Sequence, residues 1–66
     1  MANGSTYEIG AAFARLTCVL ADAAAQAVEG QFGQIDETAC HRIVIELEQH
    51  IVSASQLVKA IKAALE

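Results

Sequence analysis

A spacing of seven residues constrains the fold of this chain more than any other feature of its sequence. In the first half of the chain, charged side chains recur at Glu8, Arg15, Asp22 and Glu29. Residues seven apart lie on nearly the same side of an α-helix, because two turns take about 7.2 residues. The spacing predicts a helix over about residues 6–29 with a solvated charged stripe. The apolar stripe on its opposite side is expected to consist of Ile9, Phe13, Leu16, Leu20, Ala23 and Ala27.

The second half of the chain begins with the residues expected at a helix start. Asp36 is the predicted N-cap, and the carboxylate of Glu37 suits the positive end of the helix dipole. Ile35 and Cys40 occupy the two positions of a hydrophobic staple. We therefore expect a second helix over about residues 37–65.

The segment between the helices has the composition of a tight turn. Gly30 is expected to take the left-handed conformation that ends a helix, and the turn is expected to span residues 30–35. A turn this short forces the helices antiparallel, so residues equidistant from Gly33 should face each other. Val19 is then expected near Leu47.

The apolar surface of the second helix is too wide for one neighbouring helix to cover. A chain of 66 residues, 55% of them apolar and 18% charged, also needs more core than one hairpin supplies. The sequence therefore predicts an all-α fold, in which one domain over residues 1–66 forms an antiparallel two-helix hairpin and pairs as a homodimeric four-helix bundle. This architecture resembles the Rop-type hairpin dimers of bacteria. The dimer or partner interface is expected to contain Ile43, Val44, Ile45, Leu47, Ile51, Val52, Leu57, Val58 and Ile61.

Charge and hydropathy exclude several classes of partner. The net charge of −4 argues against nucleic acid as a partner, because binding to phosphates depends on clustered Lys and Arg. Arg15, Asp22, Glu29 and Glu46 interrupt the apolar runs, so no membrane-spanning segment and no membrane partner are expected. The first residues show no secretory signal, and we expect a cytoplasmic protein.

Possible metal ligands cluster at the start of the second helix, where Glu37, Cys40 and His41 lie within one turn. Adjacent helical residues point about 100° apart, so Cys40 and His41 cannot both face one ion unaided. We interpret them as a staple cysteine beside a surface histidine. The pair Glu46 and His50 is interpreted in the same structural way, with His50 half-buried and hydrogen-bonded at the edge of the bundle.

The two cysteines are expected to be free thiols. In the predicted hairpin Cys18 lies opposite Glu48 and about 12 Å from Cys40, which is too far for a disulfide. A reactive thiol needs an electropositive setting, and Arg15 is the one basic group within a turn of Cys18. We therefore expect no catalytic residue, no metal site and no cofactor.

A protein that acts through its surface fits these observations. We expect a non-enzymatic interaction module that serves as a dimeric regulator or adaptor. The alternative is a small chaperone or anti-activator that captures a helical partner through the apolar surface of the second helix. Ile45 and Val52 separate the two hypotheses, because burial of this flank in the homodimer favours the adaptor and exposure favours the chaperone.

Overall fold

The protein folds as a hairpin of two α-helices in a computed structural model that describes residues 6–32 and 36–66. Helix α1 spans Thr6–Glu29 and helix α2 spans Glu37–Leu65, and these ranges agree with the ranges expected from the sequence. The helices lie side by side along a body of 53 × 14 × 10 Å. Gln26 contacts Glu46 near the connection, whereas Phe13 and Leu65 share a cavity at the opposite end, so α1 and α2 are antiparallel. The predicted helical hairpin is confirmed.

Helix α2 begins with the cap that the sequence predicts. Asp36 has extended backbone angles, φ −86° and ψ 175°, and its side-chain Oδ1 accepts a hydrogen bond from the amide of Ala39 at 2.7 Å. The carbonyl oxygen of Asp36 accepts the next bond, from the amide of Cys40 at 3.0 Å. The side-chain bond satisfies the amide of Ala39, which has no backbone partner within the helix, and the bond from Cys40 is the first of the regular helical series. Ile35, the other half of the predicted staple, lies outside the described residues.

The chain keeps winding after α1 ends. The amide of Gly30 bonds to the carbonyl oxygen of Gln26 at 3.2 Å, and the amide of Gln31 bonds to that of Val28 at 3.0 Å. No glycine of the described ranges has a positive φ, so the left-handed conformation predicted for Gly30 is wrong. The backbone of Gly30 still makes a hydrogen bond of helical type, so at this residue the chain continues the winding of α1 and does not yet change direction. Gly33 lies outside the described residues.

This extra winding changes how the helices are aligned. Val19 lines a cleft with Ser53 and Leu57, so its predicted position beside Leu47 is wrong. A turn centred on Gly33 would reverse the chain soon after Glu29. Helical hydrogen bonding continues beyond Glu29 as far as Phe32, and α1 meets residues further along α2 than a turn centred on Gly33 would allow.

The contact between the helices buries little. Within the described residues, Ile43 and Ile61 of α2 are the buried apolar side chains, with 4% and 6% of their surface exposed. We refer to the line of contact between α1 and α2 as the seam. On α1 the half-buried residues of the seam are Ile9, Ala12, Leu16, Val19, Ala23 and Gln26.

Three of the six positions predicted for the apolar stripe of α1 lie off the seam. Phe13 and Leu20 are 50% and 53% exposed, and Ala27 is exposed as well. The prediction is wrong at these positions because α1 is apolar over more than one column, and periodicity does not decide which column meets α2. The structure turns Val19 and Gln26 toward α2 instead.

Helix α1 differs from the sequence-based expectation in another respect. Its 24 residues, with a mean hydropathy of 1.3 in an 18-residue window, are long and apolar enough to cross a membrane. Core helices of soluble proteins and signal sequences pass the same test of length and composition. Arg15 and Asp22 lie within α1, and each would cost about 2.5 to 3.5 kcal/mol at the centre of a bilayer.

The seam gives a direct prediction for stability. Replacing Ile43, which is buried, with Ala should lower the free energy of unfolding by about 2 to 5 kcal/mol, because the substitution opens a cavity between the helices. Ile45→Ala is the matched control and should change it by less than about 0.5 kcal/mol, since Ile45 is exposed. Urea unfolding followed by circular dichroism at one protein concentration measures both. Equal losses for the two variants would contradict the position of the seam.

Candidate interaction surface

One side of the hairpin carries large apolar side chains that are exposed to solvent. They recur every seven residues along both helices, and each of the large ones is at least half exposed. A free hairpin would leave this surface in water, which is costly for a contiguous apolar area. We call the set the apolar face; it consists of Phe13, Leu20 and Ala27 on α1 and Val44, Ile51, Val58 and Leu65 on α2.

Two concavities show that both helices contribute to this face. A cavity of about 290 Å³ lies at the open end of the hairpin, between Phe13 of α1 and Val58 and Leu65 of α2. A second cavity, of about 300 Å³, lies at the turn end, between Ala27 of α1 and Val44 of α2. Both helices therefore line the apolar face at each end of the hairpin, and we call the two concavities together the groove.

The opposite side of the hairpin has a different character. There Arg15 and Cys18 of α1 line a cleft with Ser53 and Gln56 of α2. Asp22 follows Arg15 by seven residues and extends this side toward the turn. We call this side the polar face. The hairpin thus has one face that favours burial against a partner and one face that favours exposure to solvent.

The seam contains a polar cluster near the turn end. The side-chain amide of Gln26 donates to Glu46 Oε1 across the seam, and Arg42 Nη1 donates to the same oxygen at 2.9 Å. Nδ1 of His50 lies 2.8 Å from the carbonyl oxygen of Glu46. His50 is half-buried and has a hydrogen-bonding partner, as predicted. The Oε1 atom of Gln26 is buried and has no hydrogen-bond partner.

Ile45 and Val52 form a separate apolar patch on α2. Both are more than half exposed, and they line a shallow depression with Glu48, Gln49 and Ser53. Each follows a residue of the apolar face, Val44 or Ile51, by one position, and therefore lies about 100° further around the helix. We call Ile45 and Val52 the outer strip, because it faces away from both α1 and the apolar face.

The nine residues predicted for an interface fall into three groups. Ile43 and Ile61 are buried in the seam of the hairpin itself, and Leu47 and Leu57 are half-buried there. The other five are exposed on α2. Val44, Ile51 and Val58 belong to the apolar face, whereas Ile45 and Val52 form the outer strip.

The sequence-based prediction missed the contribution of α1 to the exposed surface. Phe13 and Leu20 were placed between the helices of one hairpin, yet they lie on the apolar face beside the exposed valines of α2. The signal that could have identified them is a second column beside the predicted apolar stripe, with Ala12, Val19 and Gln26 at the same seven-residue spacing. That column offers α2 an alternative surface to pack against.

The two thiols and the pair formed by Glu37 and His41 at the start of α2 all lie at the surface. Cys18 and Cys40 are free, as predicted, and both are exposed. Cys18 lies near Ser53 and Gln56, so its predicted position opposite Glu48 is wrong for the reason given for Val19. His41 Nε2 lies 3.6 Å from Glu37 Oε1, with both side chains largely exposed. In the two described ranges no three His, Cys, Asp or Glu residues converge in a way that could hold a metal ion.

Comparison of the chain with protein-family models, with curated proteins and with solved structures gives no match. The surfaces of the hairpin are what bear on function.

The polar cluster in the seam gives a second prediction. Gln26→Leu should raise the free energy of unfolding by about 0.5 to 1 kcal/mol, because it removes a buried oxygen without a partner and adds apolar contact. Glu46 keeps its ion pair with Arg42 in this variant. Thermal and urea unfolding measure the change. Gln49→Leu, at an exposed position, is the control for helix propensity and should stay within about 0.5 kcal/mol of the parent. A loss of stability in Gln26→Leu alone would show that its bond to Glu46 outweighs the buried oxygen.

Proposed function

We propose that this protein is a non-enzymatic protein–protein interaction module that works as a homodimer. In the dimer, two hairpins cover each other's apolar face and form a four-helix bundle. The module acts as a small regulator or adaptor, and its polar surface is what other proteins meet. The observation that carries the proposal is the apolar face, a groove with contributions from both helices that a single hairpin leaves in water.

A second copy is the occupant that best fits this groove. Two-fold dimers are the commonest homo-oligomers of soluble proteins. In such a dimer the same surface of each copy is buried against that of the other. Helices that associate in this way form bundles through knobs at seven-residue spacing, which is the spacing of Val44, Ile51 and Val58.

The surface left outside such a dimer is acidic. The polar face and the outer sides of the helices carry most of the eight carboxylates, against four Lys or Arg in the chain. This charge favours basic protein segments over nucleic acid as partners, because attraction to phosphate depends on basic side chains. The cavities of the hairpin are open and mostly apolar, and this favours binding of protein surfaces over catalysis, for which convergent polar groups are required. In this proposal the module acts in the cytoplasm and uses neither a cofactor nor a membrane partner.

One observation favours a second candidate function. Ile45 and Val52 stay exposed when the apolar face is covered, since they lie on a different side of α2. Exposure of this strip is what a small chaperone or anti-activator requires to capture a helical partner. Glu48 beside the strip favours a partner helix with basic residues next to its apolar stripe.

Two neighbouring valine and isoleucine positions test the homodimer. Ile51 and Val52 are 63% and 56% exposed in the hairpin, but only Ile51 belongs to the apolar face. The parent protein should sediment as a dimer at micromolar concentration. Ile51→Asp should abolish the dimer, because an unpaired carboxylate buried in the interface costs several kcal/mol. Val52→Asp is the matched control and should sediment as a folded dimer.

A folded parent monomer of 6.9 kDa in sedimentation equilibrium would contradict the homodimer. The control also separates the two candidate functions. If Val52→Asp stays dimeric but no longer captures the proteins that bind the parent in extracts of the native host, the outer strip is the binding surface. If capture is unchanged, the adaptor is favoured.

Charge on the polar face gives a further prediction for the adaptor. Asp22 is exposed, so Asp22→Lys should change the free energy of unfolding by less than about 0.5 kcal/mol and leave the dimer intact. It should nevertheless reduce capture of partners, because a lysine at this position repels the basic partner surface that the aspartate attracts. Asp22→Asn separates loss of charge from reversal and should have the smaller effect. Equal capture by the parent and both variants would show that this part of the polar face is not used.

A further inference from the structure

The apolar face has side chains of different size at its two ends. At the open end, Phe13, Val58 and Leu65 line the cavity. At the turn end, the corresponding cavity is lined by the small residues Ala27, Gly30 and Cys40, together with Gln31 and Val44 at the surface and Ile43 and Leu47 deeper in the seam. One end of the face is therefore rich in protruding side chains, and the other end is rich in small ones.

The α2 part of the face is symmetric about its centre. Ile51 is the middle residue of α2, which spans Glu37–Leu65. Val44 and Val58 lie seven residues on either side of it. A two-fold axis through Ile51 therefore places each valine opposite the other valine of the partner subunit, and the two Ile51 side chains opposite each other.

From these two observations we infer the orientation of the homodimer, and the inference rests on the proposed function. The two hairpins pair antiparallel, with the turn end of each over the open end of the other. Helix α1 then lies over α1 of the partner subunit, and α2 lies over α2. In this arrangement Phe13 of each copy enters the turn-end cavity of its partner, beside the partner's Ala27.

The opposite orientation packs the same residues poorly. With both turn ends together, small residues would face small residues and leave the turn-end cavities unfilled. At the other end, Phe13 and Leu65 of both copies would be crowded into one layer. Cores are stable when large side chains face small ones at even density, and both voids and overpacking are destabilising.

Disulfide trapping tests the orientation. In a background with Cys18→Ser and Cys40→Ser, Ile51→Cys should form a covalent dimer under mild oxidation, because residues at the axis are close enough for a disulfide. Val44→Cys and Val58→Cys should each cross-link poorly alone. Mixed before oxidation, with a short tag on one of them, they should give the heterodimer as the main product. Val52→Cys, on the outer strip, is the control and should stay uncross-linked.

The outcomes separate this inference from the proposed function. If sedimentation shows a parent monomer, the homodimer itself is wrong. If the parent is a dimer and Val44→Cys mixed with Val58→Cys gives no heterodimer, the antiparallel orientation is wrong. A dimer in which none of the cysteine variants is trapped would also overturn the orientation.

A size swap tests the same contact without a disulfide. Phe13→Ala and Ala27→Phe should each raise the dissociation constant of the dimer by about tenfold or more, by leaving a void and by overcrowding, respectively. The double variant should recover most of the affinity, because the phenyl group then fills the space that the substitution at Phe13 leaves in the partner. Losses that simply add in the double variant would overturn the predicted contact between Phe13 and the partner's Ala27.

Discussion

The structure depends on a mismatch between the apolar surface of α2 and the surface that α1 can cover. A single antiparallel helix contacts one stripe of its neighbour, and here that stripe contains Ile43 and Ile61, the two buried side chains of the described residues. Val44, Ile51 and Val58 lie beside it and remain in water. The hydrophobic effect favours removal of that area from solvent, and nothing else in the described hairpin covers it. The proposals for dimer and function both start from this mismatch.

Much of the fold could be predicted because it depends on local rules. Seven-residue spacing identified α1, and the residues of a helix start identified α2, where the side chain of Asp36 accepts a bond from the amide of Ala39. The alignment of the helices was not predicted correctly. It depends on how far the chain winds past Glu29, where Gly30 makes a bond of helical type although glycine is often the residue that ends a helix.

The candidate surface was predicted only in part, for a related reason. Apolar periodicity shows that a column of residues leaves water, but not which neighbour it meets. Ile43 and Ile51 have the same chemistry and lie two turns apart, yet one packs against α1 and the other is exposed. The rotation of each helix about its own axis decides which of its columns meets the other helix. Gln26 faces α2 in the structure and bonds to Glu46, and a polar contact of this kind is hard to anticipate from a pattern of apolar residues.

The small core has a consequence for how the protein behaves in a cell. A hairpin in which two side chains of the described residues are buried has little stability of its own, so a partner that supplies the rest of the core also supplies most of the folding free energy. When that partner is an identical chain, folding becomes a bimolecular event and the folded fraction rises with abundance. At low copy number the chain would spend more time open to proteases, and at high copy number it would be protected. Its own concentration would then set the threshold above which it is present in active form.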